Sequence, residues 1–167
     1  MTAHMDERTK AEQLGYLLQG RGLTMATAES CTGGGIAEAV TGVAGSSAWF
    51  DRAFVTYSNE AKVQLLGVSS ALIARYGAVS QEVVTAMAAG ALDAAPVDWV
   101  IAVSGIAGPG GGSPEKPVGT VWFCWQQRGD APRTQRILFA GDRASVRRQA
   151  VDQALDGLIN RLVLRNG

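Results

Sequence analysis

At 167 residues, 47% hydrophobic and 18% charged, the chain has the length of one domain and enough apolar content for a full core. Its 15 Lys and Arg balance its 15 Asp and Glu. That argues against a nucleic-acid partner, whose backbone calls for a basic excess, and leaves room only for a small anion bound locally. No run of about 18 apolar residues is available to span a membrane. The first ten residues, MTAHMDERTK, carry no apolar stretch of the secretory kind, so a cytoplasmic location is expected.

In chain order, residues 1–8 read as a polar, frayed start. Leu14, Leu17 and Leu18 repeat at helical spacing over 12–19, and Gly20 and Gly22 end that helix. Residues 23–28 read as a strand, 30–35 as a Gly-rich turn, and 36–40 as a helix closed by Gly42. Residues 50–57 read as a strand, with Ala53 and Val55 on one face and Phe54 and Thr56 on the other. Asn59 is read as the N-cap of a short helix ending near Gly67, and Ser69 and Ser70 as caps of the next. Ser80 opens a longer Ala-rich helix to about residue 94, with Gln81 and Glu82 suited to its first turn.

Residues 99–103 are nearly all apolar, as a central strand buried on both faces should be. A Gly/Pro loop covers 105–117, and 118–126 and 134–139 form a hairpin. Asp142 caps a last helix whose apolar stripe includes Val146, Ala150, Leu155, Leu158 and Leu162. The alternation implies an α/β fold: a three-layer α/β/α sandwich on a mixed sheet of about five strands, one domain over 1–167.

Three segments place polar or Gly-rich residues at the ends of apolar strands, where ligands of open α/β sheets collect. The first is Thr27-Ala28-Glu29-Ser30-Cys31-Thr32-Gly33-Gly34-Gly35. A strand runs through hydroxyls and glycines into a helix, an arrangement able to combine a nucleophile with backbone N–H donors. An ordinary helix start with a Ser or Thr cap would read the same way. The second is Tyr57-Ser58-Asn59-Glu60-Ala61-Lys62. Counted from Asn59, Lys62 is the third helical residue, where the macrodipole opposes a cation by roughly 0.3–1 kcal/mol and favours the neutral amine of a general base. A solvated surface lysine is the simpler alternative. The third is Val103-Ser104-Gly105-Ile106-Ala107-Gly108-Pro109-Gly110-Gly111-Gly112-Ser113, which is neither a Walker A loop nor GxGxxG. It suits a flat or anionic ligand, or is a flexible connection. In addition, Arg143, Arg147 and Arg148 crowd the start of the last helix, where a bound anion or plain solvation would offset their charge.

Elimination narrows the chemistry. The single histidine, His4, lies in the polar start, and Cys31 and Cys124 form no CxxC pair. Neither a zinc site nor a Ser-His-Asp or Cys-His machinery can be built from them. No metal and no cofactor are expected, and the sequence leaves a disulfide open. A hydroxyl nucleophile activated by Lys with Tyr assisting is chemically sound, with Cys31 as the competing nucleophile.

At these segments the chain resembles a known family, the C-terminal domain of the competence/damage-inducible protein CinA, whose stand-alone form is a nicotinamide-nucleotide amidohydrolase. The resemblance runs through 27–34, Gly45-Ser46-Ser47-Ala48-Trp49-Phe50, 57–62, 104–109, Lys116-Pro117-Val118-Gly119-Thr120-Val121-Trp122, and Gly141-Asp142-Arg143 with Val146-Arg147. It implies hydrolysis of the carboxamide of nicotinamide mononucleotide to nicotinic acid mononucleotide and ammonia. Ser30 would attack, Lys62 and Tyr57 would handle protons, and an acyl-enzyme would form. Thr32, Gly33, Gly34, Ser46, Ser104, Gly105, Ile106, Ala107, Gly108, Arg143 and Arg147 are the expected substrate-binding residues. Arg147, with Arg143 four residues away on the same helical face, is expected to hold the 5′-phosphate, and Arg148 to be dispensable. Longer members carry an N-terminal domain associated with a metal-dependent pyrophosphatase activity, which is not expected here.

The partner expected is thus a small-molecule nucleotide, with no nucleic acid and no membrane, and a homo-oligomer is compatible with the sequence. Two other readings stand beside the amidase: a non-catalytic nucleotide-binding or regulatory module, and a partner of DNA-uptake or repair proteins. Ammonia release separates the first from the amidase. The zero net charge speaks against direct nucleic-acid binding by the second.

Overall fold

The computed structural model describes residues 6–164, so His4 lies outside the described residues. In chain order the elements are α1 Glu7–Gly20, β1 Met25–Glu29, α2 Gly35–Thr41, a single 3-10 turn Ser46–Ala48, β2 Phe50–Val55, α3 Asn59–Leu66, α4 Ser70–Tyr76, α5 Gln81–Ala94, β3 Trp99–Gly105, β4 Thr120–Gln127, β5 Arg133–Leu138 and α6 Arg143–Leu164.

Short polar side chains start the helices. Asp6 accepts from the Thr9 amide at 2.8 Å, so α1 begins well before residue 12 and residues 6–8 are not a frayed lead-in. Ser69 and Ser80 accept from the amides of Leu72 and Val83, both at 3.2 Å, and Asp142 from that of Ser145 at 2.9 Å. At α3 the cap is Ser58, not Asn59: its hydroxyl accepts from the Ala61 amide at 3.0 Å. Lys62 therefore sits one position deeper, at the fourth helical residue.

The five strands lie in the order β2-β1-β3-β4-β5. β1 pairs in parallel with both β2 and β3, with Met25 opposite Phe50 and Trp99. β4 and β5 follow as an antiparallel hairpin, as its alternating pattern indicates. One face of the sheet carries α1, α2 and α6 over Met25, Ile101, Val103, Phe123 and Trp125. The other carries α3, α4 and α5 over Ala26, Ala28, Val100, Ala102 and Cys124. The alternation of side chains along each strand produces these two faces.

Glycine allows the closest approaches. A Cβ on Gly157 of α6 would lie 2.0 Å from the Trp125 ring, and one on Gly90 of α5 would lie 1.9 Å from the Leu66 carbonyl oxygen. Cys31 and Cys124 are buried on opposite faces and are free thiols, which closes the disulfide question. Among the described residues no helix is long and apolar enough to cross a membrane.

The topology fixes where a ligand can sit. The chain leaves β1 through α2 on one face to reach β2, then returns through α3–α5 on the other face to β3. β2 and β3 thus flank β1 on its two sides, with the connections on opposite faces, which leaves a crevice beyond the carboxyl ends of β1 and β3.

Candidate active site

Ser30 is the first residue past β1. Its amide donates to the Val103 carbonyl at 3.1 Å, and its own carbonyl accepts from the Gly33 amide at 3.0 Å. Gly33 and Gly34 take φ of +58° and +96°, the left-handed turn that lets the strand enter α2 at once. Beneath the turn lies the carboxylate of Glu29, fully buried. It accepts from the hydroxyls of Thr32 at 2.6 Å and Thr27 at 2.9 Å, and from the amides of Ile36 at 2.9 Å and Ala37 at 3.0 Å. The N-cap residue of α2, Gly34, has no side chain for that task, so a strand residue caps the helix instead. Glu29 was not foreseen as a functional residue. The signal available was an acid inside an otherwise apolar strand next to a helix start with no capping side chain of its own.

Lys62 is only 1% exposed. Cβ bonds lean toward a helix's N-terminus, and this side chain reaches back from α3 into the crevice. Its Nζ lies 3.0 Å from Ser30 Oγ, 2.9 Å from the Thr56 carbonyl oxygen and 3.2 Å from that of Tyr57. Burial pushes its pKa below the ordinary 10.5. None of the contacts is a carboxylate. Nζ donates to all three oxygens, while Ser30 Oγ is 3.4 Å from the Tyr57 carbonyl; burial favours the neutral amine, in which two N–H groups can still serve the two carbonyls and the lone pair is free to take the serine proton. The solvated-lysine alternative is thereby excluded.

Cys31, next in sequence, differs. Burial pushes its thiol up to about 12, which leaves it protonated and inert.

These groups open onto a cavity of about 240 Å³ lined by Ser30, Cys31, Tyr57, Asn59, Lys62, Ala78, Val79, Ser104, Gly105, Ala107 and Arg143. Ser104 Oγ donates to the Ala78 carbonyl at 2.9 Å, tying the 77–80 segment to the end of β3 as one wall. A Cβ on Gly105 would meet the Val121 side chain at 2.7 Å and Cys31 Sγ at 3.1 Å, so only glycine fits there. Asn59, Ala78 and Val79 were not foreseen as lining residues. Asn59 opens α3 inside the 57–62 segment but was read only as a helix cap, and Ala78 and Val79 come from the loop before α5, which carries no motif of its own. Among the described residues no three His, Cys, Asp or Glu side chains converge as metal ligands would.

Of the residues expected at the site, Ser30, Tyr57, Lys62, Ser104, Gly105, Ala107 and Arg143 meet in this cavity. The others are placed differently. Thr32 turns its hydroxyl down onto Glu29, while Gly33 and Gly34 shape the turn without lining the cavity. Ile106 ties its loop to β4, its amide donating to the Thr120 carbonyl at 2.9 Å. Gly108 offers only its carbonyl, to Arg143 Nη1 at 2.8 Å. Ser46 is at the wrong end of the sheet. It precedes β2, and parallel pairing of Phe50 with Met25 puts that segment at the amino ends of the strands, about 15 Å of strand away from Ser30.

Two side chains have other contacts than expected. The Tyr57 phenol is 62% exposed and accepts from Arg143 Nη2 at 3.1 Å; it is the Tyr57 main-chain carbonyl that meets Lys62 and Ser30. Arg147, expected to be the main phosphate ligand, donates instead from Nε to the Cys31 carbonyl at 3.0 Å and from Nη2 to the Thr32 carbonyl at 3.2 Å. It lies outside the Ser30 cavity, on a neighbouring one that it shares with Arg148. Arg143, one helical turn earlier, is the arginine on the Ser30 cavity.

The chain is similar to known proteins over nearly its whole length. The family model of the CinA C-terminal domain matches residues 7–162. The nicotinamide-nucleotide amidohydrolase PncC of Escherichia coli (strain K12) is 57% identical over 148 residues, which cover 89% of this chain and 90% of that protein. PncC of Pseudomonas putida is 56% identical over 153 residues, covering 90% of this chain and 94% of the relative. Among solved structures, the competence damage-inducible protein A (ComA) of Klebsiella pneumoniae superposes with a TM-score of 0.92 at 42% identity, over 95% of this chain and 98% of that one.

Proposed function

The chain belongs to the CinA C-terminal domain family, and on that premise we propose that it is an amidohydrolase acting on the carboxamide of nicotinamide mononucleotide. The observation that carries this reading is the buried pair of Ser30 Oγ and Lys62 Nζ at 3.0 Å, in a relative of enzymes named for that hydrolysis.

Ser30 Oγ attacks the carboxamide carbon while its proton passes to Lys62 Nζ. The amide oxygen becomes an oxyanion. Among the described residues the N–H groups of Cys31 and Thr32 donate to no other main-chain group, and they follow the nucleophile directly, as oxyanion donors do. Lys62 then returns its proton to the departing nitrogen, ammonia leaves, and an ester to Ser30 remains. Water attacks that ester with Lys62 again as base. The tetrahedral adduct collapses to the carboxylic acid, and Ser30 regains its proton. The balance is one amide and one water consumed, one acid and one ammonia formed.

The small residues Gly105, Ala107, Ala78 and Val79 suit a flat pyridine ring. Arg143, oriented by the Gly108 carbonyl and the Tyr57 phenol, is the phosphate ligand. In this reading Tyr57 orients Arg143 with its side chain and Lys62 with its carbonyl, rather than carrying a proton.

The test is ammonia release from nicotinamide mononucleotide without added metal, for the native chain, Ser30→Ala and Cys31→Ala. The native chain should turn over, the serine variant should be inactive yet folded, and the cysteine variant should keep most of its rate. A serine variant as fast as the native chain would refute the nucleophile.

A further inference from the structure

Arg147 reaches from α6 to the nucleophile turn, yet the reaction above gives it no task. It belongs to none of the ion pairs among the described residues, and spends two of its donors on successive main-chain carbonyls, those of Cys31 and Thr32. We propose that Arg147 is a positioning residue for the oxyanion site: it holds and polarises the peptide between Cys31 and Thr32 so that the Thr32 N–H is aimed for the developing charge. This inference rests on the Ser30 reading.

A planar trans peptide directs its C=O and its N–H in opposite senses, so whatever anchors the carbonyl aims the N–H. The Ser30 carbonyl is anchored by the Gly33 amide at 3.0 Å, which aims the Cys31 N–H. The Cys31 carbonyl is anchored by Arg147 Nε at 3.0 Å, which aims the Thr32 N–H away from the guanidinium. Each of these donors thus sits on a peptide whose carbonyl is held, one by the turn itself and one by an arginine 116 residues further along the chain. Glu29 fixes the same turn from below through the Thr32 hydroxyl.

Other features fit the role. A Cβ on Gly33 would lie 3.3 Å from Arg147 Nη2, so a residue without a side chain lets the guanidinium lie close over the turn. Two carbonyls on adjacent residues match the two arms of a guanidinium, which a lysine cannot imitate. A cation on a carbonyl also strengthens the N–H of the same peptide as a donor. Arg147 is exposed on its outer side, which weakens its field. Its loss should therefore cost less than deleting an oxyanion donor outright, about tenfold to a hundredfold in turnover rather than 10²–10³.

The test compares Arg147→Ala and Arg147→Lys with the native chain by three readouts. These are turnover of nicotinamide mononucleotide, affinity for it measured by calorimetry on a Ser30→Ala background, and the rate at which a small phosphonofluoridate modifies Ser30. In the last, Ser30 Oγ bonds to phosphorus, fluoride leaves, the serine proton passes to Lys62, and the adduct's oxygen occupies the oxyanion site. Arg147→Ala should slow turnover and phosphonylation alike and leave affinity unchanged. Low, non-denaturing guanidinium should restore both rates, and Arg147→Lys should fall between. Lost affinity with native phosphonylation would overturn the proposal and make Arg147 the phosphate ligand after all. Loss of both rates with a lowered melting temperature and no rescue by guanidinium would make it a turn scaffold only. A native chain inert to the phosphonofluoridate would sink the oxyanion site and the role of Arg147 together. A native chain that is phosphonylated at Ser30 but releases no ammonia would refute the amidase reading alone, and phosphonylation of the variants would still decide Arg147.

Discussion

Replacing Lys62 with methionine tests the centre of the mechanism by two independent measures. The first is rate. A positioned general base contributes about 10²–10⁴-fold. A thioether in place of the amine offers Ser30 neither a basic lone pair nor a donor, so turnover should fall by that factor. In the native chain, turnover should rise with pH as the amine loses its proton, with its midpoint below 10.5 because burial lowers the folded pKa.

The second measure is stability. Between the lowered folded pKa and the unfolded value near 10.4, the unfolded chain binds the lysine proton and the folded chain does not, so native stability rises with pH there. The slope for one such proton reaches about 1.4 kcal/mol per pH unit at most. The substitution removes that slope. It also leaves the Thr56 and Tyr57 carbonyls, which accept from Nζ at 2.9 and 3.2 Å, without a donor, at about 1–3 kcal/mol for each buried acceptor. At neutral pH the two effects oppose one another, so the stability gap between the two chains should be smaller there than at high pH. As pH rises toward about 10, the unfolded-state value, the native chain should pull ahead. Urea unfolding of both chains from about pH 6 up to that value, beside ammonia release at the same pH values, measures this. Parallel stability curves, or a Lys62→Met variant with native turnover, would mean that Lys62 is not a proton-exchanging amine in the folded state.

Further outcomes concern the ligand and the turn. Arg143→Ala should weaken nicotinamide mononucleotide binding by about tenfold or more, the worth of a charge-assisted bond to phosphate, and should scarcely affect the riboside, as calorimetry on both ligands would report. Tyr57→Phe should move the same affinity in the same direction by a smaller amount and leave the pH profile unchanged, because its phenol touches Arg143. Glu29→Gln turns one of two acceptor oxygens into a donor facing groups that already donate. It should destabilise the fold by about 1–3 kcal/mol in urea titration and slow phosphonylation of Ser30.

What could be read from the chain alone was whatever depends on neighbours in sequence. Caps at Ser69, Ser80 and Asp142, the apolar run at 99–103 and the stripe of the last helix are local signals. They led to the element order, the hairpin and the α/β/α layering. The three chemical segments were also legible, because each lies where an apolar strand gives way to polar or Gly-rich residues. Local spacing, however, cannot rank Ser58 above Asn59 as a cap, since both offer a short polar side chain, and the choice turns on backbone geometry at one residue.

The rest was decided in three dimensions. Parallel pairing of β1 with β2 and β3 brings Ser30, Tyr57 and Ser104 to one edge of the sheet and sends Ser46 to the other. Burial under that edge, not position along α3, makes Lys62 a candidate base rather than a surface cation, because desolvation acts on what surrounds an amine. The exchange between Arg143 and Arg147 has the same origin. Both share one helical face, as their spacing requires, but where α6 lies relative to the Ser30 turn puts one on the cavity and the other against the Cys31 and Thr32 carbonyls. α6 is anchored on the sheet by the packing of Trp125 into the space at Gly157 and by its Nε1 bond to the Ala154 carbonyl, contacts between residues about thirty positions apart, which no local periodicity encodes.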